Sequence, residues 1–293
     1  MKYEAIAQGK DDFPVSRQCA VLGVSESGYY AWQHRPPSRR DQANAILKET
    51  IYSRWAHSRG LYGAPRIYAE LRAEGICVGR HRVARLMQAM GIQGKMPRKR
   101  HPRTTRSDPT HTAAPNLLNR QFHARQCDEI WLTDITYIDT DEGYLYLASV
   151  MDLYSRQIVG MAMADHLRTE LVETALAMAL QQRQPDTDLL HHSDRGSQYT
   201  SEAYQQSLRD AAITGSMSRT GSCLDNAPME SFWATLKREC ADGIFASHAH
   251  ARTAIFSYIM GFYNRERRHS ALGYVSPVDF EQQQKRNLHT LLN

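Results

Sequence analysis

Three consecutive runs beyond residue 128, EIWLTDITYID, GYLYLASVMDLYS and RQIVGMAMAD, are rich in β-branched and aromatic residues and are separated by turn residues. Such runs read as strands, so the middle of the chain is committed to a sheet. A helical stretch, RTELVETALAMALQQRQ, comes next, then a short strand in TDLLHHSD and a helix around SEAYQQSLRDAA. Three strands followed by alternating helix and strand give a mixed sheet flanked by helices, an α/β architecture. The 293 residues suffice for about two domains, and a 42% hydrophobic content supports their cores.

Charge divides the chain. Residues 1–127 carry 22 Lys and Arg against 9 Asp and Glu, whereas residues 128–293 carry 14 against 22. A basic front half joined to an acidic back half suggests a nucleic-acid grip attached to a part that needs carboxylates, although a solvated basic surface has the same composition. In the front half, FPVSRQCAVLGVSESGYYAWQHR reads as a helix, a turn at Gly23 and Val24, and a second helix opened by Ser25. A second helical pair lies in YGAPRIYAELRAEGICVGRHRVARLMQAMGI, with Gly75 and Gly91 as stops. Val83, Leu86, Met87 and Met90 form its apolar stripe, which leaves Arg82 and Arg85 on another side, suited to phosphate or groove contact. Residues 93–120 hold four prolines and a basic cluster that includes Arg98, Lys99 and Arg100. This segment reads as a basic linker, lying along DNA or acting as a solvated tether.

The five cysteines are scattered and form no C-x-x-C pair, so neither a disulfide scaffold nor a zinc finger is indicated. No run of 18 apolar residues occurs and the first residues have no signal-like apolar region, which predicts a cytoplasmic protein.

Asp134 falls in the middle of the first strand, where Asp is normally depleted. Asp194 stands where a later strand ends and a Gly- and Ser-containing turn begins, a place where Asp is also a plain turn former. In TGSCLDNAPMESFWATLKREC, Met229, Phe232, Trp233, Leu236 and Cys240 mark the buried stripe of a helix that Asp225 or Asn226 caps. Glu230 lies early on it, and Lys237 follows two turns on, roughly 10 Å along the axis. If the strands of Asp134 and Asp194 are adjacent and this helix docks beside them, three carboxylates converge. Such a cluster requires cations, and Mg²⁺ takes oxygen ligands while completing its shell with water and substrate phosphate. Two such ions promote in-line displacement at phosphorus. Asp139, Asp141 and Asp152 are competing acids. His191 and His192 next to Asp194 suggest a two-His-one-carboxylate site, but neighbouring strand residues face opposite sides.

WLTDITYI, HHSDRGSQYTS and DNAPMESFWATLKRE resemble the three blocks of DDE integrase-core transposases of bacterial insertion sequences, specifically the second-reading-frame protein of the IS-three family. Thirty-five residues separate Asp194 from Glu230, as in that family, and Lys237 matches its basic residue seven after the Glu. SGYYAW, YGAPRI and YNRERRHSALGYVSP also resemble family segments. The resemblance implies an RNase H-like core with Asp134, Asp194 and Glu230 as catalytic metal ligands for two Mg²⁺ ions, Mn²⁺ substituting. It implies cleavage at the ends of the element followed by strand transfer by the freed 3′-hydroxyl. The domains expected are a helical DNA-binding region over 1–92 with two helix-turn-helix-like units, a basic linker over 93–127, a catalytic core over 128–250 and a C-terminal helical extension over 251–293. Expected partners are double-stranded DNA, a second copy of the chain and an upstream-frame protein or fusion supplying terminal-repeat recognition; no membrane is involved. Lys237, Arg82, Arg85, Arg98, Lys99 and Arg100 are the expected DNA contacts. Two other functions fit the same residues: a nuclease or resolvase that joins no ends, and a DNA-binding regulator with an inert core.

Overall fold

The computed structural model describes residues 2–96, 114–185, 188–219 and 223–292. Its centre is a sheet of β1 (Ile130–Thr140), β2 (Gly143–Asp152), β3 (Ile158–Ala164), β4 (Leu190–Ser193) and β5 (Thr214–Met217), in the spatial order β3-β2-β1-β4-β5. The first three strands are antiparallel neighbours, whereas β4 runs parallel to β1 and β5 parallel to β4. Asp141 and Glu142 form the tip of the first hairpin, between the paired Thr140 and Gly143. β5 is absent from the sequence-based expectation because TGSM contains one β-branched residue and a glycine; parallel pairing to β4 makes it a strand.

The front half is helical. α1 (Lys2–Gln8), α2 (Val15–Leu22) and α3 (Glu26–His34) surround a small centre of Ile6, Cys19 and Tyr29. The turn between α2 and α3 forms as expected: Gly23 adopts φ 61° and the Ser25 hydroxyl accepts from the Gly28 amide. α4 (Arg39–His57), unassigned in the sequence reading, opens with a capping box in which Ser38 and Asp41 satisfy each other's amides. α5 (Ala64–Ala73) and α6 (Arg80–Ala89) form the second expected pair. Gly75 and Gly91 end them at φ 78° and 68°.

Two helical layers cover the sheet, and β1 divides its side chains between them. Trp131 belongs to the cluster beneath α7 (Thr169–Arg183), α8 (Ser197–Thr200) and α9 (Glu202–Asp210). There a Cβ on Gly160 of β3 would stand 2.2 Å from the Ala175 carbonyl oxygen, so only glycine permits this approach. Ile130, Leu132 and Ile138 face the other way, toward α10 (Ala227–Glu239) and α11 (His248–Phe256), which continues as a π-helical segment over Ser257–Tyr263. α12 (Pro277–Leu292) closes the chain, and Arg183 at the end of α7 donates to Glu281 on it at 2.8 Å.

This second cluster does not stop at the half of the chain that holds the sheet. It takes in Leu47, Ile51, Ile67, Leu71, Val83 and Leu86 from α4–α6. The Tyr62 and Phe262 rings lie 6.3 Å apart at the seam, and the Tyr62 hydroxyl donates to the Glu266 carbonyl and accepts from the Arg268 amide. The segment expected as a linker over 93–127 is docked at its C-terminal part. Leu118 is 2% exposed, and the Leu117 amide donates to Ser216 Oγ on β5 at 3.0 Å. An apolar pair in NLLN gives that stretch something to bury. Arg98, Lys99 and Arg100 lie outside the described residues.

His192 ties β4 to β5, its ring nitrogens 2.9 Å from Ser216 Oγ and 3.2 Å from Ser218 Oγ. Burial pushes its pKa down to about 4 from the ordinary 6.5. The unfolded chain therefore binds more protons between those values, and stability falls as pH drops through that window. Melting curves from neutral pH to pH 4 will show this acid loss. His192→Asn will be less stable at neutral pH by about 1 kcal/mol and will lose less on acidification.

Candidate active site

Asp134 occupies the α10-facing side of β1, where the alternation that buries Leu132 and Ile138 would place an apolar residue. It is half-buried and both its oxygens accept hydrogen bonds. Oδ1 takes the Ile135 amide at 2.8 Å, and Oδ2 takes the Trp233 indole N–H at 2.9 Å. The parallel register pairs Leu132 with His192; carried two residues further, it sets Asp134 beside Asp194, just past the end of β4. Asp194 Oδ1 accepts the Gly196 amide at 2.9 Å, the turn-forming bond expected of Asp at this place.

Glu230 stands exposed in the first turn of α10. Two contacts fix that turn against β1. Asn226 Nδ2 donates to the Thr133 carbonyl at 2.9 Å, one residue before Asp134, and Trp233 reaches Asp134 itself. Glu230 therefore lies between two anchors that grip adjacent residues of β1. Burial pushes the Asp134 pKa up, and the negative charges of Asp194 and Glu230 push it further, to about 7. The three carboxylates thus share one electrostatic environment. They form an open group: among the described residues, the set of three ligand-type side chains with ligating atoms within 4.8 Å of one another is Cys127, Asp152 and Glu281.

That tighter set is structural. Asp152 accepts from the Asp128 amide and from both the Ser155 amide and hydroxyl, at 2.7–2.8 Å, and Glu281 is bound by Arg183. Burial pushes the Cys127 thiol up to about 12, so it keeps its proton. Asp152, a competing acid in the sequence, pairs with Trp131 near the far end of the β1–β2 hairpin and closes a turn. Asp139 pairs with Tyr144 in the same hairpin. The histidines also turn away from the carboxylates: His191 Nε2 bonds Tyr204 at 3.1 Å and His192 bonds the two serines, so no two-His-one-carboxylate site forms.

The expected basic residues divide. Lys237 is on α10 with its Nζ 4.2 Å from the centroid of the Tyr137 ring. Arg82 is committed within the protein, its Nε and Nη2 donating to Asn44 Oδ1 at 3.0 and 2.8 Å, which fastens α6 to α4. Arg85 is exposed and lines a groove with Asp41, Asn44 and Lys48.

Sequence reasoning missed how the start of α10 is held. Asn226 occupies the N-cap position but makes no capping bond with its side chain, which goes to β1 instead. Asp225 is 0% exposed. It accepts from Arg219 Nε and Nη2 at 3.0 Å, Arg120 Nε at 2.7 Å and Asn116 Nδ2 at 2.9 Å. Asp and Asn before a helix read as caps, and nothing local signals a partner more than a hundred residues away.

A five-stranded mixed sheet in this order, covered by helices on both faces, is the arrangement of an integrase core. Residues 124–223 and 211–277 each match a model described as integrase core domain, and residues 41–100 match one described as HTH-like domain. The chain is 44% identical over 265 residues to the insertion element IS600 uncharacterized 31 kDa protein of Shigella sonnei, covering 90% of this chain and 97% of that protein. It is 40% identical over 284 residues to transposase InsF for insertion sequence IS3A of Escherichia coli strain K12, covering 96% and 98%. Among solved structures it is similar to a simian T-cell lymphotropic virus intasome at TM-score 0.45 and 14% identity, over 73% of this chain and 69% of that one. The chain belongs to the IS3-type family of insertion-sequence transposases. No helix among the described residues is long and apolar enough to cross a membrane.

The raised Asp134 pKa has a stability consequence. The folded state holds this proton more tightly than the unfolded chain, for which the ordinary value is 3.8, so stability is lost as pH rises from that value to about 7. Without divalent metal, Asp134→Asn will melt a few degrees above wild type at pH 8. The difference will close below about pH 4; melting curves at both pH values check the sign.

Proposed function

We propose that Asp134, Asp194 and Glu230 are the catalytic carboxylates of this transposase, and that they act with two Mg²⁺ ions. The observation that carries this reading is geometric: the β1–β4 register sets Asp134 beside Asp194, and Asn226 and Trp233 dock the first turn of α10, with Glu230, on the same stretch of β1. The donor set is all hard oxygen, which suits Mg²⁺, and Mn²⁺ by the same preference. Bound divalent ions would supply charge for the attacking and leaving oxygens of an in-line displacement at phosphorus.

The protein's own groups prepare the site. The Trp233 indole fixes one oxygen of Asp134, the Gly196 amide fixes one of Asp194, and Glu230 is carried in the first turn of α10. In the first reaction water attacks the phosphorus at the element end, the bond to the 3′-oxygen breaks, and that oxygen takes a proton to become a free hydroxyl. In the second, this hydroxyl attacks a target phosphodiester, displaces the target's 3′-oxygen and joins the strands. No protein nucleophile takes part.

Lys237 meets a phosphate of the DNA leading to the reacting bond, held by the face of Tyr137. Exposed Arg85 and the HTH-like region grip duplex DNA, as does the basic stretch around Arg98, Lys99 and Arg100. Arg82, braced on Asn44 through Nε and Nη2, belongs to the same surface. Two element ends must meet, so the active assembly holds at least two copies, joined by an upstream-frame protein or fusion that reads the terminal repeats.

Labelled element-end DNA incubated with Mg²⁺ will be cleaved and joined by wild type, and Mn²⁺ will replace Mg²⁺. Asp134→Asn, Asp194→Asn and Glu230→Gln will each abolish both steps while binding the same DNA. Full activity in any one variant removes that residue from the site, and cleavage without joining identifies a nuclease. Lys237→Ala will weaken end-DNA binding and joining but leave calorimetric Mn²⁺ affinity unchanged, the reverse of Glu230→Gln.

A further inference from the structure

Helix α10 lies along β1, and successive residues of the two meet in order. Asn226 reaches Thr133 at 2.9 Å, Trp233 reaches Asp134 at 2.9 Å, and Lys237 Nζ stands 4.2 Å from the centroid of the Tyr137 ring. Strand and helix thus leave the carboxylates in one direction, toward the tip of the first hairpin. Tyr137 is three residues beyond Asp134, about 10 Å along the strand.

The Tyr137 ring is one of three. Its centroid is 5.1 Å from that of Tyr144 at an interplanar angle of 60°, and the Tyr144 centroid is 6.4 Å from that of Tyr146 at 61°, both edge-to-face. The β1–β2 register pairs Tyr137 with Tyr146 and Asp139 with Tyr144, so these side chains share one face of the sheet, the face of Trp131. Ile135 and Tyr146 pack against the cluster beneath α7–α9, whereas Tyr137 and Tyr144 lie beyond it, nearer the tip. Tyr144 is therefore 46% exposed while two rings hold it in place. An exposed tyrosine by itself signifies little. This one ends a row that starts at the carboxylates and passes a cation.

Charge along the row decides what fits. Lys237 lies at the end nearer the carboxylates, and the opposite end is acidic: Asp139 is the cross-strand neighbour of Tyr144, and Asp141 and Glu142 form the tip. A duplex, with phosphates on both strands, would bring one backbone against those acids. An unpaired nucleotide divides more favourably, its phosphate toward Lys237 and its uncharged base toward Tyr144. Lys237 Nζ is 4.2 Å from the Tyr137 ring and that ring 5.1 Å from the next, so the phosphate and base of neighbouring nucleotides can meet both.

We propose that Tyr144, held by Tyr137 and Tyr146, is a stacking platform for an unpaired base of the DNA strand that leaves the reacting bond, with Lys237 on the adjoining phosphate. Stacking on an aromatic ring requires an unpaired base but no particular one, because every base has a π-face. The platform therefore holds a frayed end open without reading its sequence. The proposal rests on the reading of Asp134, Asp194 and Glu230 as a DNA-processing centre, but stacking needs neither metal nor catalysis.

Binding of the full chain is measured without divalent metal to paired element-end duplex and to the same duplex carrying one unpaired nucleotide at that end. Wild type will bind the second about tenfold more tightly, the effect of one stacked base. An abasic nucleotide at the same place will give little of that gain, a comparison that needs no variant. Tyr144→Val suits a strand but offers no ring, and it will lose the gain; Tyr144→Phe will keep most of it. The ratio of the two affinities is read within each variant, so a general weakening cancels. 2-Aminopurine as the unpaired base will be quenched on binding to wild type and to Tyr144→Phe, and will stay bright with Tyr144→Val. An equal gain from the abasic nucleotide, or a gain that survives in Tyr144→Val, overturns the proposal and leaves the three rings as a brace of the hairpin. Equal binding of the paired and unpaired DNAs by wild type removes the platform alone, whereas binding of neither removes the DNA-processing reading with it. Failure of the carboxylates to support cleavage leaves all these ratios readable.

Discussion

The position of α10 depends on one buried carboxylate. Asp225 is removed from water and held by Arg219 and Arg120, and through them it joins three stretches distant in sequence: the segment before the sheet, the chain leaving β5, and the entry to α10. A charge so placed tolerates little displacement, because moving it away from the two guanidinium groups would leave an uncompensated ion in the interior. The consequence is geometrical. Asn226, one residue on, is delivered to buried Thr133 of β1, just past the last residue that pairs with β4, and the first turn of α10 comes to rest over Asp134.

A tension follows from that placement. The helix brings the carboxylate of Glu230 toward two others, and Asp134 responds by holding its proton more strongly. Trp233 and the Ile135 amide orient Asp134 as uncharged donors, so they fix its carboxylate without neutralising it. At the seam between the two halves the opposite holds: Glu239 is neutralised by Arg267 and Arg238.

Much of this was legible in the sequence. An Asp interrupting an apolar strand broke a local rule, whereas an Asp at the end of another strand and a Glu in the first turn of a helix broke none and needed their tertiary neighbours to be read as one group. Strands β1 to β3 and the buried stripe Met229, Phe232, Trp233 and Leu236 followed from period alone. Features that escaped rest on tertiary partners. TGSM becomes a strand through β4, and Asp225 and Asn226 look like caps until Arg120 and Thr133 are placed beside them. α4 escaped for another reason: its long polar surface offers a weak apolar stripe, with Leu47 and Ile51 as its buried residues.

The apolar cluster that runs from α4–α6 through Phe262 into the sheet has a bearing on how such proteins diversify. Where two functional parts touch only through a tether, recombination can exchange them like cassettes. Here Tyr62 and Phe262, and Glu70 and Arg268, are matched pairs across the seam, so a foreign helical region would arrive with the wrong counterparts. The helices over 39–89 and the core must instead vary together, as one lineage. α1–α3 stand differently, because Ile6, Cys19 and Tyr29 form a centre of their own. Among the described residues that unit is the one an insertion sequence could trade without rebuilding its enzyme.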